Sequence, residues 1–175
     1  VGSEMCIRDR TYAKYLLTYE RTGIAGVGFC ISALAKLKVI AAKVHKNGQP
    51  LNQDPLFAAR MARVEIDLEN MKTTNLRVIA AVAGGGVPGA ESSMLKIRGT
   101  EIRQEILSLI RRAMGVYATP YIDAAQYEGY DEAPVGGIDE AATAAANYFN
   151  YRKLSIFGGS NEIQKNIISK MILGL

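Results

Sequence analysis

Asp54 to Gly89, DPLFAARMARVEIDLENMKTTNLRVIAAVAGGGVPG, decides the fold. Phe57, Met61, Val64, Leu68, Met71, Asn75, Val78 and Val82 recur there at alternating steps of three and four, the rhythm of one helix face turned toward a partner. Asp54 is a good N-cap, Pro55 suits the first helical position, and Gly84-Gly85-Gly86-Val87-Pro88-Gly89 cannot continue a helix. The spacing predicts a long amphipathic helix with sharp ends.

The same rhythm extends outward on both sides. Ala13 to about Lys43 reads as one long helix with a stripe at Leu17, Glu20, Ile24, Val27, Ile31 and Leu34, ended by Lys46-Asn47-Gly48-Gln49-Pro50. Downstream, roughly Ser92 to Met114 carries Leu95, Ile102, Ile106, Leu109 and Ala113, with Gly99 letting another backbone come close. Lys96-Ile97-Arg98 and Arg111-Arg112 read as solvated faces of that helix. Gly115 to Gly137 is a long loop holding Tyr117, Tyr121, Tyr127 and Tyr130. Asp139 or Glu140 opens a fourth, Ala-rich helix to about Lys153, and Ser160 opens the last. Nothing alternates at period two for long enough to make a strand. The pattern predicts an all-α protein, a four-helix bundle plus a short terminal helix.

Composition narrows the function classes. The formal charge is +4, but Lys and Arg are scattered among acids instead of forming the continuous basic run that nucleic-acid binding needs. Cys6 and Cys30 have no metal-ligand spacing and His45 is the sole histidine, a solvated helix end, so no metal site is expected. No apolar run is long enough to span a bilayer, and a cytoplasmic location is expected. Val1 to Arg10, VGSEMCIRDR, departs from the pattern and resembles a translated library-adaptor leader. The expectation is therefore that residues 11–175 carry the fold and derive from a longer parent.

Asn147 to Leu175, NYFNYRKLSIFGGSNEIQKNIISKMILGL, carries the chemistry. Gly158 and Gly159 permit a close backbone approach, Ser160 is an N-cap, and Ile163, Ile167 and Met171 follow at helical spacing. The exposed N–H groups of that first turn suit a polar or anionic ligand. Phe157-Gly158-Gly159-Ser160-Asn161-Glu162-Ile163-Gln164 resembles the C-terminal signature of the acyl-CoA dehydrogenases. The resemblance covers about Thr11 to Leu175 and implies the C-terminal helical domain of such an enzyme, with the N-terminal and middle β-domains lying outside this sequence. It implies FAD as cofactor, an acyl-CoA substrate, a homo- or heterotetramer with a small subunit, and electron-transfer flavoprotein as partner. Gly158, Gly159, Ser160 and Glu162 match cofactor-binding positions, and an ordinary N-cap with an acid in the first turn is a reading of Ser160 and Glu162 that can hold at the same time.

Many members carry a catalytic Glu where this chain has Gly158. Glu20 supplies the alternative, because it occupies a stripe position normally given to an aliphatic side chain. On periodicity alone, a carboxylate at an open helix end paired with a basic neighbour accounts for it. The resemblance points the other way: in one branch of the family the base comes from this helix, in a context like Tyr19-Glu20-Arg21-Thr22-Gly23-Ile24-Ala25. Glu20 is thus the expected catalytic base. Two features depart from the family pattern: the first interhelical loop, Val44 to Pro50, lacks an Arg, and the turn after the third helix is reduced to Met114-Gly115-Val116. Those departures keep a second reading open, a non-catalytic assembly subunit of a heteromeric acyl-CoA dehydrogenase. Leu95 to Glu101, Arg152 to Ile156 and the terminal Leu173-Gly174-Leu175 resemble the pimeloyl-CoA dehydrogenase branch, which implies a dicarboxylyl-CoA substrate.

Overall fold

The computed structural model describes residues 9, 12, 23, 25–127, 130–131 and 139–175. Glu20 lies outside them. The fold is all-α: α1 (Val27–Lys43), α2 (Pro55–Ala83), α3 (Ala90–Met114), α4 (Ala141–Asn150) and a short α5 (Asn161–Ile168), which runs on into a π-helical turn at Ser169–Leu173. The described residues divide into two compact units. One draws on Val1–Val27, Glu69–Thr100 and Leu154–Leu175, the other on Gly28–Leu68 and Glu101–Lys153.

Helix boundaries follow local chemistry. The Phe57 N–H donates to Asp54 Oδ1 at 3.0 Å, which caps α2 as expected, and Pro55 needs no hydrogen-bond acceptor there. At the other end Gly85 is left-handed (φ +89°), the Gly85 N–H donates to the Val82 carbonyl, and the Gly86 N–H donates to that of Ala81. That pair of bonds is a Schellman stop, and the positive φ is why glycine stands there. Arg111 and Arg112 in the last turn of α3 suit the negative end of its dipole.

Two expectations for the first helix are corrected. Ala25 lies in a turn and Gly26 is left-handed (φ +60°), so the helical run that the stripe carried through this point is interrupted before Val27. The buried face of α1 is Cys30, Leu34, Leu37, Ile40 and Ala41, while Ile31 is 44% exposed. Leu34 belongs to both the expected and the observed face, and Cys30 takes the buried place expected of Ile31. Burial pushes the Cys30 thiol up to about 11, with the Arg103 charge opposing the shift, so it is a poor nucleophile at neutral pH.

The break after α1 also differs in kind from a plain loop. His45–Lys46 pairs antiparallel with Gln49–Pro50 around Asn47 (φ +53°) and Gly48 (φ +80°). Asn-Gly is the residue pair that a type I′ hairpin turn demands. Within the same unit, Arg103 sits 4.6 Å from the Phe29 ring and 4.0 Å from that of Tyr151. Arg111, expected to be solvated, stacks 4.7 Å over Tyr148. The Ala-rich α4 helix buries Ala141, Ala142, Ala144 and Ala145.

Candidate functional site

The candidate site is the turn from Leu154 to Gln164 and the face of α3 behind it. Gly158 (φ +68°) and Gly159 (φ +85°) are consecutive left-handed residues, a conformation that only glycine adopts without strain. Ser160 then caps α5: it is extended, and its Oγ accepts from the Ile163 N–H at 3.4 Å. The Gln164 Nε2 reaches back to donate to the Gly158 carbonyl at 3.1 Å and, more weakly, to that of Gly159 at 3.5 Å. Gln164 is 0% exposed, and its Oε1 has no hydrogen-bond partner among the described residues. A carbonyl oxygen buried in that condition costs about 1–3 kcal/mol unless something donates to it.

Glu162 is exposed on the first turn of α5. Hydrogen bonds from its own backbone N–H and from the Ser160 hydroxyl hold its carboxyl below the usual range, and Lys165 and Lys96 add to the effect. The helix start is therefore partly occupied by the chain's own carboxylate. Ser160 and Glu162 meet the N-cap description, and with Gly158 and Gly159 they form one cluster.

Lys96 is the residue that sequence reasoning missed. Expected on a solvated face, it is 0% exposed, and its Nζ donates to the Leu154 carbonyl at 2.9 Å and to Asn161 Oδ1 at 2.9 Å. Thr100, one turn on, donates to the Leu154 carbonyl at 3.3 Å and to its own helix at Lys96 O. Burial lowers the Lys96 pKa, and the Glu162 charge opposes that shift. A signal was present: Ser92, Ser93, Lys96, Gly99 and Thr100 form a second, small and polar buried face of α3 beside the aliphatic stripe. Gly99 behaves as expected, since a Cβ there would run into the Ala25 backbone carbonyl.

The remaining expected residues sit apart from this cluster or outside the description. Glu20 is outside the described residues, so its placement is not part of this geometry. Lys46, in the loop that lacks an Arg, donates to Asp54 Oδ2 at 2.8 Å and is committed to that pair. His45 is exposed, with Nδ1 3.0 Å from the Lys43 carbonyl. Tyr117, Tyr121 and Tyr127, on the long loop, are exposed. Among the described residues, no group of three His, Cys, Asp or Glu side chains could hold a metal ion, and no helix is long and apolar enough to cross a membrane.

A family model described as acyl-CoA dehydrogenase, C-terminal domain, matches residues 10–173. Similar solved structures include an acyl-CoA dehydrogenase from Geobacillus kaustophilus (22% identity, TM-score 0.73, covering 94% of this chain and 39% of that one). Butyryl-CoA dehydrogenase from Megasphaera elsdenii is 17% identical, with TM-score 0.68 over 90% of this chain and 37% of that one. The ChsE4-ChsE5 complex from Mycobacterium tuberculosis is 24% identical, with TM-score 0.62 over 83% of this chain and 34% of that one. At these identities the likeness concerns the fold, and the chain spans less than two-fifths of the length of each. A comparison with curated proteins gives no match.

Proposed function

The chain belongs to the acyl-CoA dehydrogenase family through its C-terminal domain, and on that premise we propose that it forms the helical wall of a flavin site in a longer enzyme. That enzyme introduces a double bond between the α- and β-carbons of an acyl-CoA thioester. The observation that supports the reading best is the Gly158-Gly159-Ser160 turn: two left-handed glycines, Gly159 of them exposed, with Gln164 donating to the Gly158 carbonyl and Lys96 holding the flanks at Leu154 and Asn161.

The turn suits FAD in a particular way. The backbone of Gly158 and Gly159 is bare of side chains, and the exposed Phe157 ring beside it offers an apolar surface to a planar or sugar moiety. The Glu162 carboxylate already faces the first-turn N–H groups, so a neutral portion of the cofactor fits there better than its pyrophosphate. The chemistry that FAD supplies when bound is acceptance of the hydride leaving the β-carbon.

The chain's own part in the reaction is proton transfer and positioning. In this reading Glu20 takes the α-proton on its carboxylate. Leu17 and Ile24 flank it on the sequence stripe, and aliphatic neighbours that exclude water raise a carboxyl pKa toward the operating pH. Gly158 stands where other members carry their base, which leaves room for one on the first helix. The finer identity proposed is a dicarboxylyl-CoA substrate such as pimeloyl-CoA, a homo- or heterotetramer with a small subunit, a cytoplasmic location, and electron-transfer flavoprotein as electron acceptor. The wording of Leu95 to Glu101 and Arg152 to Ile156 supports that branch.

The test is anaerobic reduction of the purified full-length enzyme by pimeloyl-CoA, followed through the visible flavin absorbance. Glu20→Gln is expected to keep its flavin and lose about 10²–10⁴-fold in turnover, the range of a general base. Normal turnover in that variant would remove Glu20 from the mechanism.

A further inference from the structure

A lysine is almost never fully buried unless its charge is satisfied. Lys96 is fully buried, and both groups that accept from its ammonium are neutral: the Leu154 carbonyl and the Asn161 side-chain oxygen. Those two residues are the last before and the first after the Ser155–Ser160 segment that contains both left-handed glycines. A single cation thus bridges the entry and the exit of the turn. Thr100 reinforces the entry side through the same Leu154 carbonyl, and Gln164 holds the Gly158 carbonyl from within.

Glycine pairs are the most freely moving part of a chain. Two in succession hold one conformation only when their flanks are fixed, and here the flanks are fixed from α3. A methionine at 96 would fill nearly the same volume and could donate to neither acceptor. A lysine that served only as filler would tolerate that change.

We propose that Lys96 is the positioning residue of the ligand-facing turn, its buried ammonium bridging the Leu154 carbonyl and the Asn161 side chain so that Gly158 and Gly159 keep the geometry presented to a ligand. The turn-holding role stands on the geometry alone. Its consequence for a flavin rests on the function proposed above.

Amide hydrogen exchange of the 175-residue chain tests the first part. Lys96→Met is expected to speed exchange across residues 156–164 about tenfold or more, the factor for one charged hydrogen bond, with the middle of α2 unchanged. Asn161→Ala should produce part of that change, Asn161→Asp should not, and Lys96→Met with Asn161→Ala should be no worse than Lys96→Met alone. Unchanged exchange in the turn, or effects that multiply independently in the double variant, would overturn the proposal. Should Lys96→Met fail to fold, the contrast between Asn161→Ala and Asn161→Asp decides the same point. In the flavin-loaded full-length enzyme, Lys96→Met should release flavin about tenfold faster, by the same charged hydrogen bond. Equal release overturns the ligand half of the proposal. An unsubstituted enzyme that holds no flavin overturns the function proposed above, while the exchange result still decides what Lys96 does.

Discussion

Gly99 and Lys96 lie three positions apart on α3, and only one of them announces itself. Gly99 marks a helix interior where propensity disfavours glycine, so a close neighbour is the natural explanation, and the Ala25 backbone is that neighbour. Gly99→Ala would gain about 1 kcal/mol of helix propensity and lose about 1–3 kcal/mol or more to overpacking against a backbone that cannot yield. A net loss of stability is expected, read as a lower urea midpoint; an unchanged or higher midpoint would mean that the Ala25 segment can move aside. Lys96 could not be read this way. Its type speaks for solvent, and only the tertiary placement of the Leu154 carbonyl and Asn161 gives it partners. The small residues around it, Ser92, Ser93 and Thr100, were the one local hint that this face has no room for water.

Elements were legible in proportion to their length. The α2 stripe holds residue for residue: Val64, Leu68, Met71 and Val78 are buried, with Phe57, Met61, Asn75 and Val82 half-buried between and beyond them. Twenty-nine residues average out local ambiguity, and strong caps fix the ends. The first helix was misread because an apolar stripe survives a one-residue shift and because glycines at 23, 26 and 28 carry no side-chain signal of where the chain turns. In α5 and the turn that continues it the stripe itself misleads, since Ile163 and Met171 are 51% and 60% exposed while Gln164 is buried. There the amide's bonds to the glycine turn outweigh the preference for burying carbon. Gly159→Ala tests that element: a left-handed alanine costs about 1–2 kcal/mol, and its Cβ would press on the Gln164 amide. The expected result is a lower thermal midpoint for the chain, and an unchanged midpoint would show that the turn is not held as described.

At the scale of the molecule, the site cluster lies in the first unit, and the residues around it, among them Ile156, Phe157 and Ile163, are exposed. A turn open on its ligand side lacks the enclosure that small-molecule sites use to bury most of a ligand. The 175-residue chain by itself is therefore expected to release FAD on dialysis, and stoichiometric flavin retained after dialysis would contradict this. The chain passes from one unit to the other four times, and two of those crossings, Leu68 to Glu69 and Thr100 to Glu101, fall deep inside α2 and inside α3. A cut at either crossing would strand four N–H and four carbonyl groups that had been paired within a helix. In genetic terms, exchange between related genes is expected to be tolerated at the Gly84–Gly89 loop, where the Schellman stop has already closed the helix, and not at those two borders inside the helices.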